Sequence, residues 1–273
     1  MAKKKEIHNV FQSYDESKVE IRLQNAMELL KSLGDESVDL VLTDPPYGIS
    51  YQSNRRKGKK LLPITADWNF QMSPFLHEIA RVLKPGSAAY LFTRWDVYPL
   101  WAQGVPPLLT TKNFIIWLKD NHSAGDLTGN FGFKYEGIMM MVKGRHKIRG
   151  HRHTNVWEFP RVPLTRQRHP AEKPVALLQR AIESSTDKDA LVVDPFCGSG
   201  STAEAALLCG RRALVGDIDK RWLSETRDRL GFPPREDHRG STALDLGGFD
   251  LSILDGVHPE DVLSMLQGWR EMK

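Results

Sequence analysis

Cysteine is scarce in this chain of 273 residues, where Cys197 and Cys209 are the two thiols. Two cysteines cannot build a disulfide framework or a four-cysteine zinc site, so both are expected reduced, as in a cytoplasm. Long apolar runs are missing as well. Residues 138–142 form one of the longest, far short of the roughly 20 residues that a membrane-spanning helix needs, so no membrane partner is expected. The opening MAKKKE carries the charge of a secretion signal but no apolar stretch follows it, so export is not expected. No internal repeat or low-complexity tract interrupts the chain.

What is present describes a globular protein. Hydrophobic residues make up 40% and charged residues 26%, with 11 Phe, 7 Trp and 6 Tyr, which excludes disorder as the main state. The length suits one sizeable domain, or a domain with an appendage. The formal charge of +4 is unevenly placed. Residues 233–273 hold eight acids and four bases, so the rest of the chain carries about twice the overall excess. Much of it lies in two blocks. Residues 54–60 carry Arg55, Arg56, Lys57, Lys59 and Lys60. Residues 143–168 hold eight Lys or Arg against the single acid Glu158, with Arg145, Lys147, Arg149, Arg152 and Arg166 among them. Trp, Asn and Gln within these blocks point to a surface for a phosphate backbone. His146, His151 and His153 lack cysteine or carboxylate companions, and their Arg-rich surroundings would repel a cation, so no metal is expected.

Short β-branched or aromatic runs alternate with helix-like stretches. Strands are expected at 19–23, 38–43, 88–93, 114–118, 138–142, 191–193 and 213–215, and helices at 26–32, 74–83, 174–184, 202–208 and 221–230. Continuous apolar strands separated by helices indicate an α/β, doubly wound, mostly parallel sheet covered on both faces. Lys84-Pro85-Gly86 is expected to stop a helix ahead of a strand.

Two motifs carry the chemistry. Asp194-Pro195-Phe196-Cys197-Gly198-Ser199-Gly200-Ser201-Thr202 follows a strand and opens a helix, where glycines let the backbone approach a ligand and the helix start offers free N–H groups. Asp217, at the end of the next strand, can accept both hydroxyls of a ribose. Taken alone, Gly198-x-Gly200-x-x-Ala203 also fits a dinucleotide site, so a nicotinamide enzyme stays open at this point. The second motif is Asp44-Pro45-Pro46-Tyr47 at a strand end. Its prolines remove backbone donors and leave the Asp44 carboxylate and the Pro45 carbonyl as acceptors near one point. Tyr47 adds a ring that can stack on a planar ligand. An exocyclic amino group on a nucleobase matches that set.

With both motifs present the chain resembles the amino-group DNA methyltransferases that use S-adenosylmethionine. Asp44–Tyr47 is similar to the catalytic DPPY motif of that family, residues 194–200 (DPFCGSG) to its FxGxG motif, and His169-Pro170-Ala171-Glu172-Lys173-Pro174 to its HPxEKP segment. The looser likeness covers residues 19–232, including Tyr135-Glu136-Gly137. DPPY precedes FxGxG, as in the circularly permuted beta arrangement. Protein-glutamine and ribosomal-RNA enzymes of related design usually have the reverse order. A nicotinamide enzyme leaves DPPY and HPxEKP unexplained.

The resemblance implies a seven-stranded Rossmann-like catalytic domain over 1–232, with 143–168 as a short target-recognition insertion and 233–273 as an acidic tail without an assigned role. It implies Asp44, Pro45, Pro46 and Tyr47 as catalytic residues. For the cofactor it implies Asn25, His169, Lys173, Asp194, Phe196, Gly198, Gly200, Thr202 and Asp217. Where the family often has Asp, this chain has Asn25. The expected reaction is transfer of the sulfonium methyl group to N6 of an adenine flipped out of double-stranded DNA. N4 of cytosine offers the same chemistry, but that branch more often has Ser before Pro-Pro. A DNA-binding remnant without turnover is the alternative of another class. Arg145, Arg149, Arg152, Asn155 and Gln167 are the candidate base readers. Neither cysteine follows a proline, which separates the chain from thiol-dependent cytosine C5 enzymes. A homodimer and a companion restriction enzyme stay open.

Overall fold

Apolar runs at 38–43 and 191–194 lie at the centre of the sheet, with Leu40, Val41, Val192 and Val193 buried, as strands covered on both faces must be. A computed structural model describes residues 14–47, 70–122 and 128–233. Its strands are β1 (Val19–Leu23), β2 (Val38–Thr43), β3 (Leu83–Thr93), β4 (Leu109–Leu118), β5 (Tyr135–Lys143), β6 (Val156–Glu158), β7 (Leu191–Asp194) and β8 (Arg212–Asp217). They form one sheet in the order β1-β8-β7-β2-β3-β5-β4-β6. β5 runs antiparallel to both neighbours and every other pairing is parallel. Each of the seven expected strands forms. The eighth, β6, lies inside residues 143–168, where no strand was expected, and pairs with the outer side of β4.

Helices α1 (Ala26–Lys31), α2 (Met72–Val82) and α3 (Tyr98–Gln103) contribute to the core on one face of the sheet. Helices α4 (Val175–Ser185), α5 (Ser201–Leu208) and α6 (Lys220–Arg229) contribute to the core on the other. In α2 the buried positions Phe75, Leu76, Ile79, Ala80 and Val82 follow the helical period and leave polar residues outside. α3 begins beside Pro99 and buries Trp101. The Lys84-Pro85-Gly86 breaker ends α2 but falls inside β3, where the pairing with β2 shifts register between Val38 and Leu40. A proline and a glycine are accommodated at such an irregularity.

The connection from β7 through α5 leads toward β1, whereas the connection from β2 through α2 leads the other way. β7 and β2 are neighbours, so the switch point lies between them, and a crevice opens beyond their carboxyl ends. The Thr43 hydroxyl donates to Asp194 Oδ1 at 2.7 Å and ties the two strand ends together. At the far edge β1 pairs with β8, and Arg227 reaches back to Glu16 at 2.7 Å.

Candidate active site

The end of β2 delivers Asp44 to the crevice, followed by two prolines that cannot donate. Tyr47 donates its hydroxyl to Asp44 Oδ1 at 2.7 Å, and its ring leans on Trp101 with centroids 5.8 Å apart. Burial, with the charges of Asp44 and Glu136, pushes the Tyr47 hydroxyl well above its ordinary value, so it remains a donor. Lys173 Nζ donates to Asp44 Oδ2 at 2.5 Å and stands 3.1 Å from Glu136 Oε2. Burial works against the Lys173 charge, but the two carboxylates outweigh it and hold the ammonium above its usual range. Burial likewise opposes the Glu136 charge, yet Lys173 and Lys119 bring its carboxyl down to about 2. Lys119 hydrogen-bonds Glu136 Oε1. The result is an alternating row of charges: Asp44, Lys173, Glu136, Lys119.

The cofactor motif occupies the neighbouring strand ends. Asp194, buried at the end of β7, accepts the Thr43 hydroxyl and the Phe196 N–H through Oδ1. Burial raises its carboxyl to about 6, against the hydrogen bonds from Thr202 and Thr43. The turn that follows places Gly198 at φ 48° and Gly200 at φ 78°, a conformation that side-chain-bearing residues rarely adopt. Gly198 N–H donates to Asp217 Oδ2 at 3.0 Å and Asp219 N–H to Oδ1 at 2.9 Å. Burial lifts the Asp217 carboxyl above its ordinary value. Phe196 packs edge-on against Phe70 and Phe75. Gln24 N–H bonds the Asp217 carbonyl, which brings the start of α1 alongside. There the Asn25 side chain caps the helix by accepting Met27 N–H at 2.8 Å. Its amide NH2 and one carbonyl lone pair remain for a ligand.

These residues fit S-adenosylmethionine by the chemistry of the donor set. Asp217 stands beside a glycine turn that presents no side chains beyond Ser199 and Cys197, and Phe196 supplies an aromatic wall. Asp194, Thr202 and the glycines surround one end of that turn. His169 lies against Gly198 and stacks edge-on with Trp222 at 4.2 Å. Burial and the Lys173 charge hold its imidazole down to about 4, so it approaches the crevice neutral. Lys173, which the resemblance also implied for the cofactor, is committed to Asp44 and Glu136. The Cys197 thiol, buried and pushed well above its usual range, is a packing group.

The basic residues divide by position. β5 ends at the edge opposite the crevice, and there the His146 Nδ1 bonds the Gly86 carbonyl. Arg145 and Lys147 flank that contact and are exposed. Arg149 is engaged internally: it donates to the Ser185 carbonyl at 2.6 Å and pairs with Asp187 at 3.0 Å. Arg152 precedes β6 on the same side. β6 then carries the chain back beside β4, so exposed Arg166 follows on the crevice side. Arg168 is clamped to Glu225 and Asp228 of α6. Residues 54–60 lie outside the described residues. Among the described residues no helix is long and apolar enough to cross a membrane, and no group of three His, Cys, Asp or Glu is placed to hold a metal.

Sequence reasoning missed Glu136 and Lys119 as members of the site. Glu136 had a signal, since Tyr135-Glu136-Gly137 lies in the region of family likeness. Lys119 is a lone lysine after a strand and had none.

Comparison with known proteins agrees with this geometry. The N6/N4 DNA methylase family model matches residues 38–227, and so spans β2 through α6. The DNA adenine methyltransferase YhdJ of Escherichia coli (strain K12) is 29% identical over 244 residues, covering 76% of this chain and 80% of that protein. The type II methyltransferase M.HpaI of Haemophilus parainfluenzae is 28% identical over 238 residues, covering 76% of this chain and 72% of that protein. Among solved structures, the M1.HpyAVI–SAM complex superposes with a TM-score of 0.59 at 22% identity, over 78% of this chain and all of that one (100%). The cytosine-N4-specific PvuII DNA methyltransferase gives a TM-score of 0.61 at 16% identity, over 83% of this chain and 91% of that one. These structures share the fold, and the family match includes both motifs that meet at the crevice. The chain belongs to the N6-adenine/N4-cytosine DNA methyltransferases, for which S-adenosylmethionine is the methyl donor.

Proposed function

We propose that the protein methylates N6 of an adenine flipped out of duplex DNA at a specific sequence. The observation that carries this reading is Asp44, an aspartate ahead of Pro45 and Pro46, held beside the glycine turn by the Thr43–Asp194 bond. An aromatic amino nitrogen is a poor nucleophile because its lone pair is delocalised into the ring. Asp44 and the Pro45 carbonyl, each accepting one N–H, favour a tetrahedral nitrogen and localise that pair. Positioning and electrostatics supply the acceleration. The cofactor supplies an electrophilic methyl group on a sulfonium. Tyr47 stacks on the flipped base, and Asp44 is the carboxylate within reach of the proton that the amino group must lose. The name of the Escherichia coli relative, an adenine enzyme, supports the same base.

Reaching that base costs a few kcal/mol of unstacking and unpairing. Arg166 on the crevice side and the block Arg55, Arg56, Lys57, Lys59 and Lys60 after Tyr47 are the phosphate contacts in this reading. Arg145, Lys147 and Arg152 would serve only a duplex long enough to reach the opposite edge. Incubating DNA with methyl-labelled cofactor and identifying the nucleoside after digestion tests the proposal. N6-methyladenine is expected, and N4-methylcytosine would overturn it.

A further inference from the structure

Asp44 has both oxygens engaged before any substrate arrives, Oδ1 by the Tyr47 hydroxyl and Oδ2 by Lys173 Nζ. An amino group that comes to Asp44 must compete with that ammonium. Lys173 is only 7% exposed, so it cannot simply turn out into water. A second acceptor stands 3.1 Å from the same nitrogen: Glu136 Oε2, which is buried and ion-paired with Lys173 but lacks a well-aligned hydrogen bond among the described residues. That oxygen already shares the ammonium with Asp44 through a misaligned contact, and a buried carboxylate gains from a fuller, charge-assisted hydrogen bond. The other oxygen, Oε1, is taken by Lys119.

We propose that Glu136 is a positioning residue that takes over the Lys173 ammonium when the amino group of the target base occupies Asp44 Oδ2. The inference rests on Asp44 as the acceptor of that amino group and holds for either base. The movement breaks no covalent bond and transfers no proton: Lys173 exchanges one carboxylate partner for another, and the four charges stay balanced. Lys119 holds Oε1, so Oε2 keeps facing Lys173. The Phe92 ring, 1% exposed and 4.8 Å from Lys173 Nζ, supplies a π face along which the ammonium shifts without meeting an apolar wall. The sheet explains why these groups meet. β5 is reversed, so its second residue, Glu136, starts at the crevice edge, opposite Trp117 of β4, and Lys119 follows the end of β4.

The test is Glu136→Gln in the full chain, which keeps the shape and weakens the alternative acceptor. Lys173 then stays on Asp44, and kcat is expected to fall about 10- to 100-fold, the scale of a small misplacement at a reacting centre. The KM for DNA and the Kd for S-adenosylmethionine should stay within about threefold, and Glu136→Asp should recover part of the loss. A kcat within twofold of wild type would overturn the proposal. So would a kcat loss that tracks an equal loss of cofactor binding and of Tm, the behaviour of a purely structural residue. Should Glu136→Gln not fold, Glu136→Asp carries the test: a kcat loss with Tm and cofactor binding kept supports the proposal, and loss of all three together overturns it. The methylated nucleoside is identified in the same digests. N4-methylcytosine formed with the kcat effect intact would refute the adenine reading and leave this one standing.

Discussion

Gly200 and Gly210 share a backbone conformation and differ in surroundings, which makes them a controlled pair. Their φ angles are 78° and 73°. Alanine at either position incurs the left-handed strain, about 1–2 kcal/mol. At Gly210 a new Cβ would meet nothing within 4 Å, so strain is the whole cost. At Gly200 the Cβ would lie 2.6 Å from Thr226 Cγ2 and 2.8 Å from its Oγ1. Thr226 cannot yield easily. It is fully buried, and its hydroxyl donates to the Gly198 carbonyl at 3.0 Å. Forcing it aside adds about 1–3 kcal/mol of overpacking. Gly200→Ala is therefore expected to lose about 2–5 kcal/mol and Gly210→Ala about 1–2 kcal/mol. Urea denaturation followed by tryptophan fluorescence reads both. Because the displaced Gly198 carbonyl belongs to the turn proposed to hold the cofactor, calorimetry should show weaker S-adenosylmethionine binding for Gly200→Ala alone. Adding Thr226→Ala removes the two nearest atoms and leaves the β-carbon of position 226 at 3.0 Å, so the double variant should lose less stability than the sum of the single losses. Equal destabilisation at the two glycines, or strict additivity with Thr226→Ala, would refute the steric argument.

Two further outcomes follow from the site. Asp44→Ala should lower methyl transfer by about 10²–10³-fold or more, the scale of removing one preorganised stabilising group. Gel-shift affinity for DNA should persist, because Lys173 retains Glu136 as its partner; loss of binding together with transfer would remove Asp44 from the chemistry. The second concerns acid. The His169 imidazole is depressed from 6.5 to about 4, so its contribution to stability is present above pH 6.5 and lost as pH falls to about 4. The Asp194 carboxyl is raised from 3.8 to about 6, so its contribution is present below pH 3.8 and lost as pH rises to about 6. The two oppose each other across that window. Asp194→Asn should therefore give a stability that climbs with pH between about 4 and 6, and His169→Asn one that falls, in denaturation midpoints taken at half-unit steps. Parallel slopes in the two variants would contradict the assignment.

Most strands were legible because they are apolar runs long enough to be buried and bounded by a breaker or a helix-like stretch, whereas β1 has no fully buried residue and shows instead an alternation of Val19, Ile21 and Leu23 with Glu20 and Arg22. The two motifs were legible because each keeps its chemistry within ten contiguous residues. The missed parts depend on pairings that sequence distance hides. Lys173 reaches Asp44 across 129 positions, and nothing local to either residue announces the other. Glu136 enters the site only because β5 runs backwards, a fact set by its pairing with β3 and β4. Arg149 shows the opposite limit. A sequence reports its charge but not the Ser185 carbonyl and the Asp187 carboxylate that occupy it. β6 escaped because three residues are too few to display a period, and it owes its conformation to the edge of β4.

The place of β1 has a consequence during synthesis. Of the described strands it is the first to leave the ribosome, yet it pairs with β8, where Val19 faces Ala213. At about 5–20 residues per second, the intervening 190 or so residues take roughly 10–40 s to emerge. Over that time β2 and β3 can pair and collect β5 and β4 while β1 waits with its ladder groups unfilled. On the roles proposed above, β2 with Asp44 is thus made well before β7 and β8, which carry the proposed cofactor residues. Asn25, next to β1, and Asp217, at the end of β8, come together last. A ribosome stalled before residue 213 would hold a chain with Asp44 and the glycine turn after β7 already made, but without β8, its Asp217 or a partner for β1.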